Sequence, residues 1–134
     1  MNLIIGSHVS YNNKSQLLGS VKEALSYKAN TFMFYTGAPQ NTNRSVIEDS
    51  LTMEAYKLMK ENNIALEKVI VHAPYIVNLA NFNNFDFSVS FLINEVERCS
   101  TLGIKYLVLH PGSAVNCSRE EAINNISKGL NLIL

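Results

Sequence analysis

The chain has no charge excess of either sign. Eleven basic residues balance eleven acidic ones among 134 residues, and only 16% of the chain is charged. That balance excludes a basic arm or polybasic tail, though not a local basic surface. No apolar run approaches the roughly 20 residues that a membrane span needs, so no membrane partner is expected. The start, Met1-Asn2-Leu3-Ile4-Ile5-Gly6, lacks a basic segment before its short apolar stretch, which is not how a signal peptide reads. The two cysteines, Cys99 and Cys117, are too few and too far apart for a disulfide framework or a Cys-x-x-Cys metal site. Asn-x-Ser sequons at Asn13, Asn43, Asn116 and Asn125 are expected by chance among 17 asparagines. Together these features lead to the expectation of a soluble, cytoplasmic chain. With 47% hydrophobic residues and a mass of 14.9 kDa, it is large enough for one domain with a real core and too short for two.

Four short apolar runs recur, each followed by a helical pattern. They are Leu3-Ile4-Ile5-Gly6, Thr31-Phe32-Met33-Phe34-Tyr35, Val69-Ile70-Val71-His72 and Tyr106-Leu107-Val108-Leu109-His110. The runs are nearly continuous rather than alternating, as in strands buried on both faces. Taking Gly6, Tyr35, His72 and His110 as strand ends, the spacings are 29, 37 and 38 residues, and each interval fits one strand-helix unit. Leu17, Leu18, Val21, Ala24 and Leu25 form one helical stripe; Leu51, Ala55, Leu58 and Met59 form a weaker one. Val89, Leu92, Val96 and Cys99 form a third, stopped by Leu102-Gly103. Ser118 and Glu121 make a capping-box signature for a fourth helix, with Ala122, Ile123, Ile126, Leu130 and Ile133 as its stripe. No low-complexity linker divides the chain. Residues 1–134 are thus read as a single (βα)4 segment, with a parallel sheet and right-handed crossovers. Such a segment is either a small open sheet or half of a (β/α)8 barrel, which takes about 250 residues. The last helix reaches Leu132-Ile133-Leu134 without a glycine, proline or polar tail, and the expectation is that the chain is truncated there.

Ligand sites of parallel α/β folds lie outside the carboxyl ends of the strands, and all three histidines fall there. His72 and His110, each read as the last residue of its strand, stand on adjacent strands about 4.8 Å apart and are positioned to converge on one ion. Neutral imidazole is a favoured ligand of zinc and similar metals. Each of the three histidines also has an alternative as a hydrogen-bonded structural residue. This holds most for His8, which follows its run by two residues and is a possible active-site residue. A zinc site needs at least three protein ligands, and no acidic residue stands at a strand end. In the second loop, Gln40, Asn41, Asn43 and Arg44 are candidates to donate to phosphate oxygens. Tyr75, beside His72, is an aromatic able to fill a gap in a base stack. The plainer alternative is a solvated loop with Tyr75 packed on the barrel rim. Cys99 reads as helix core and Cys117 as a loop thiol with no base spaced to activate it. No residue is assigned as catalytic.

Four motifs occur in order: Gly6-Ser7-His8-Val9-Ser10; Phe34-Tyr35-Thr36-Gly37-Ala38-Pro39-Gln40-Asn41-Thr42; Val71-His72-Ala73-Pro74-Tyr75-Ile76-Val77-Asn78-Leu79; and Leu109-His110-Pro111-Gly112-Ser113. In register, they resemble endonuclease IV, the zinc-dependent apurinic/apyrimidinic endonuclease family, over essentially the whole chain. The resemblance implies a TIM (β/α)8 barrel of which this chain is the N-terminal half, the first four βα units. It implies a DNA-repair hydrolase that cuts double-stranded DNA 5′ to an abasic site through three zinc ions and leaves a 3′-hydroxyl. On that resemblance His72 and His110 ligate zinc, Tyr75 enters the minor groove, and Gln40, Asn41 and Arg44 contact DNA. The resemblance stops before the remaining Asp, His and Glu ligands, so this chain alone is expected to be inactive. Arg44 is the only basic residue of its loop, where relatives often carry more. Two other readings stand beside it. One is a metal-dependent sugar isomerase or epimerase of similar barrel; the other is a non-catalytic half-barrel binding or assembly module that self-associates through its open edges.

Overall fold

A computed structural model describes residues 3–134. Strands β1 (Gly6–His8), β2 (Thr31–Phe34), β3 (Ile70–His72) and β4 (Tyr106–Val108) alternate with helices α1 (Gln16–Ser26), α2 (Asp49–Glu61), α3 (Phe85–Thr101) and α4 (Arg119–Ile133). The strands are all parallel and ordered β1-β2-β3-β4. All four expected βα units are therefore present, in sequence order and in one sheet.

Two strand boundaries move, and both moves matter for the site. The first strand is Gly6–His8 rather than the apolar run before it. The Asn30 side chain captures that run: Asn30 Nδ2 donates to the Leu3 carbonyl at 2.8 Å, and Ile5 N donates to Asn30 Oδ1 at 2.7 Å. The ladder begins where Gly6 pairs with Thr31. A Cβ at position 6 would lie 1.9 Å from the Thr31 carbonyl oxygen, so only glycine allows this approach. His8 thus ends its strand instead of following it. The fourth strand stops at Val108, whose carbonyl accepts from Ala73 N at 2.8 Å. Leu109 and His110 lead out toward Pro111, which has no N–H to continue a ladder. His110 thus lies two residues beyond its strand, and the two histidines exchange the placements expected for them.

Burial on both faces holds for neither edge strand. Phe32, Phe34 and Val71 of the inner strands are buried beneath the helices, with Leu17, Val21, Ala55 and Met59. The residues between them, Thr31, Met33, Ile70 and His72, are only half-buried, and β1 is exposed throughout. The helices cover one face and leave the other half-buried or exposed. A second cluster, centred on Leu79, Val89, Phe91 and Leu92, joins α3 to the loop after β3 and to α4. Between α3, β4 and α4 lies an open apolar groove of about 600 Å³, lined by Leu92, Val96, Leu107, Leu130 and Ile133.

Helix ends follow local chemistry. Ser118 Oγ accepts from Glu121 N at 3.2 Å, while Ser118 N donates to Glu121 Oε2 at 2.8 Å, completing the capping box. Gly103, at φ +63°, ends α3, and Tyr56 Oη donates to the Leu102 carbonyl at 3.0 Å. Of the expected stripe of α4, Ala122, Ile126, Leu130 and Ile133 pack inward, but Ile123 is 54% exposed, and Asn125 and Gly129 also face inward. Asn125 Nδ2 donates to the Leu79 carbonyl at 3.0 Å, and Gly129 lets the helix approach Leu79 and Phe85. One polar bond and one missing side chain set the rotation of this helix.

Candidate functional site

The carboxyl ends of the strands carry a row of rings. His8 lies 4.6 Å from Tyr35, Tyr35 lies 5.1 Å from His72, and His72 lies 5.0 Å from His110, all between ring centroids. Their order follows the strand order, so the row is a direct product of sheet topology. Tyr35, at the end of the second run, went unassigned in the sequence; only the structure reveals it as the ring between His8 and His72.

His72 is held in one orientation. Its Nδ1 lies 2.6 Å from the Ala73 carbonyl, a contact that a protonated Nδ1 makes as donor. The Nε2 lone pair is then free for a cation. Two imidazoles sharing a tetrahedral zinc, with Zn–N of about 2.0–2.1 Å, hold their ring centres about 5 Å apart. The 5.0 Å between His72 and His110 fits that arrangement. His8, 6.2 Å from His72, is too distant for the same ion. Burial, and secondarily the charge His72 would carry, lower the His8 pKa below its ordinary value, whereas the Val9 backbone and Glu23 oppose this. Among the described residues, no three of His, Cys, Asp and Glu converge to hold a metal. The chain therefore presents a fitting pair of metal donors rather than a closed site.

The loops after β3 and β4 are tied together by Asn78. Its Nδ2 donates to the Ser113 carbonyl at 3.0 Å, and its Oδ1 accepts from Ser113 N at 3.1 Å and Ala80 N at 3.0 Å. Gly112, at φ +122°, makes room: a Cβ there would sit 2.0 Å from Asn78 Oδ1. Asn78 is thus what places the His110 loop beside His72. No sequence motif signals this, because Asn78 and Ser113 stand 35 positions apart. Tyr75 is 59% exposed and projects from the loop after β3 rather than packing on the rim. The loop after β1 is held by Glu23, whose Oε2 accepts from both Ser10 N and Ser10 Oγ; these bonds lower the Glu23 pKa.

The loop after β2 places its candidates differently. Gln40 is exposed and Asn41 half-buried, with Asn41 Oδ1 accepting from Asn43 N at 3.0 Å. The Arg44 side chain is only 5% exposed. Its Nε pairs with Glu95 Oε1 at 2.5 Å, and its Nη1 donates to the carbonyls of Ala38, Asn41 and Asn43. The guanidinium expected to reach phosphate is instead turned inward, because a fully buried carboxylate on α3 needs a cation. Cys99 is core, as expected, and burial pushes its thiol up to about 12.

The family described as "Xylose isomerase-like TIM barrel" matches residues 21–134. The protein named "Probable endonuclease 4" of Acholeplasma laidlawii is 55% identical over 134 residues, covering 98% of this chain and 46% of that protein. Its namesake in Bacillus subtilis is 51% identical, with 98% and 45% covered. The crystal structure of endonuclease IV from Thermus thermophilus superimposes with a TM-score of 0.75 at 26% identity, over 96% of this chain and 47% of that one. The chain spans a little under half the length of the curated relatives it matches.

Proposed function

The chain belongs to the xylose isomerase-like TIM barrel family, and from that premise we propose that it forms the β1–β4 part of a DNA-repair endonuclease of the endonuclease IV type. The substrate is double-stranded DNA with an abasic site, and the bond cut is the phosphodiester on its 5′ side. The observation that carries this reading is the His72–His110 pair, held at metal-sharing distance at the carboxyl ends of adjacent strands. The chain around it is about half identical to proteins named endonuclease 4. That identity favours DNA over the sugar substrates of the isomerase reading.

His72 and His110 would hold one zinc, which when bound would supply hydroxide near neutral pH and stabilise charge on phosphate and leaving oxygens. The chain's own residues do the rest. Ala73 fixes the His72 tautomer, and Asn78 sets His110 against it. Tyr75, exposed beside them, occupies the gap left by the missing base. Gln40 and Asn41 orient the phosphate backbone. In the net reaction, the oxygen of water goes to phosphorus and the P–O3′ bond breaks. The 3′-oxygen takes a proton, leaving a 3′-hydroxyl. With two donors for one ion, this chain alone is inactive. Its proposed compartment is the cytoplasm, to be checked by cell fractionation.

The test is a graft. Residues 1–134 replace the matching part of the Bacillus subtilis relative, and incision of a duplex carrying a tetrahydrofuran abasic analogue is followed. The graft is expected to cut 5′ to the analogue, and His110→Ala within it to lose zinc and most incision. An intact graft that folds, binds zinc and leaves the duplex uncut defeats the proposal. The open edges of β1 and β4 and the groove beside α4 further support self-association of the isolated chain. Sedimentation is expected to give a species larger than 14.9 kDa; a monomer that unfolds cooperatively opposes this.

A further inference from the structure

Between Phe34 and Asp49 the chain runs for 14 residues without a helix or strand, a length that in compact domains is usually functional. It is nevertheless tightly held, and from beneath. Thr36 Oγ1 donates to Glu95 Oε2 at 2.7 Å, and Arg44 Nε pairs with Glu95 Oε1 at 2.5 Å. Arg98 Nε donates to Thr36 Oγ1 at 3.2 Å, its Nη2 to the Thr36 carbonyl at 2.9 Å, and its Nη1 to the Ser45 carbonyl at 2.7 Å. Glu95 and Thr36 are fully buried and Arg98 is 7% exposed. The Arg44 guanidinium lies 4.8 Å over the Phe91 ring. Gly37 leaves the space it occupies, since a Cβ there would meet Arg44 Nη1 at 2.8 Å.

One carboxylate and two guanidinium groups thus bind both ends of a loop whose tip, Ala38 to Thr42, carries the exposed Gln40. Burying three charges is costly, and replacing such a group by apolar residues often leaves a protein as stable or more so. What the network does supply is a fixed path for the loop backbone. We infer that Glu95 and Arg98 on α3 are positioning residues for nucleic-acid recognition: through Thr36 and Arg44 they hold the loop after β2 so that Gln40 and Asn41 meet the phosphate backbone in one register. This rests on the endonuclease reading. Neither residue stands in a strand-end motif, and both are buried beneath the loop, out of reach of a DNA backbone.

The test uses the graft of residues 1–134 into the Bacillus subtilis relative, carrying Glu95→Gln, Arg98→Lys or, from outside α3, Gly37→Ala, which displaces Arg44 while leaving the helix intact. Hydrogen exchange in residues 36–47 is compared with exchange in α1 and β3. Affinity for a duplex with a tetrahydrofuran abasic analogue is read by fluorescence anisotropy. Loop exchange is expected to quicken about tenfold or more with α1 and β3 unchanged, and affinity to fall about tenfold, in line with loss of charge-assisted hydrogen bonds. In a Gln40→Ala/Asn41→Ala background, Glu95→Gln is expected to cost no further affinity, which a merely stabilising role does not predict. Unchanged loop exchange, unchanged affinity with a loosened loop, or an equal further loss in the double background each overturns the positioning role alone. An unsubstituted graft that folds and ignores the duplex overturns the endonuclease reading, and the role of the loop with it.

Discussion

The inner and outer strands of this sheet differ sharply in how they are held. Phe34 and Val71, on β2 and β3, are fully buried, whereas Tyr106 on β4 is 58% exposed and every residue of β1 is exposed. The inner strands have a neighbour on each side and helices across one face. The outer strands have one neighbour each. Yet the candidate site draws on both kinds: His72 comes from an inner strand, His8 from an outer one, and His110 from just past the other. The difference shows that packing positions only the middle of the site. Its flanks are positioned by hydrogen bonds from loops, with Glu23 holding the loop of His8 and Asn78 that of His110.

The strongest way to sharpen this contrast is truncation on each kind of strand. Phe34→Ala removes a fully buried ring stacked on Tyr11 and is expected to destabilise the chain by about 3–5 kcal/mol. Tyr106→Ala should stay within about 1 kcal/mol. Urea denaturation followed by circular dichroism distinguishes them; equal losses would erase the distinction. Next comes the loop that carries His110. Asn78→Ala deletes two hydrogen bonds between the loops and one within the loop after β3, and is expected to cost about 1–3 kcal/mol and to weaken Co(II) binding roughly tenfold. Gly112→Ala should do the same, because its side chain would meet Asn78. Metal affinity that survives both changes would mean that His110 is placed by something else.

The smallest effect concerns His8. Its folded-state pKa lies below the ordinary value of 6.5, chiefly through burial and then through the His72 charge. The unfolded chain therefore binds the proton more readily, and the stability gained by a neutral His8 is fully present above about pH 6.5 and lost as pH falls through the lowered pKa. Melting temperature measured without metal should decline from pH 7.5 to pH 5 less in His8→Gln than in the unmodified chain. Identical slopes would show that the outer-strand histidine does not feel its neighbours.

Much of this was legible in residue order. Apolar runs spaced for βα units, the Ser118–Glu121 box and the Leu102-Gly103 stop depend on neighbours close in sequence, and all three appear where expected. The strand boundaries were less legible. Leu3-Ile4-Ile5 looks like a strand until the Asn30 side chain, 25 residues from Ile5, takes its backbone groups. Arg44 was equally opaque: a lone cation in a polar loop reads as a phosphate contact, and nothing local reveals that Glu95 lies buried beneath it.

Sequence alone determined the four βα units, their parallel order and the placing of every histidine at one end of the sheet, since period, caps and crossover handedness are local properties of the chain. Tertiary structure decided that Asn125 and Gly129 of α4 turn inward while Ile123 turns out, that Tyr35 stands between His8 and His72, and that Arg44 and Asn78 hold loops in place. Those outcomes depend on groups tens of residues apart meeting in a shared interior. There the cost of leaving a charge or an amide unpaired settles which partner each one takes.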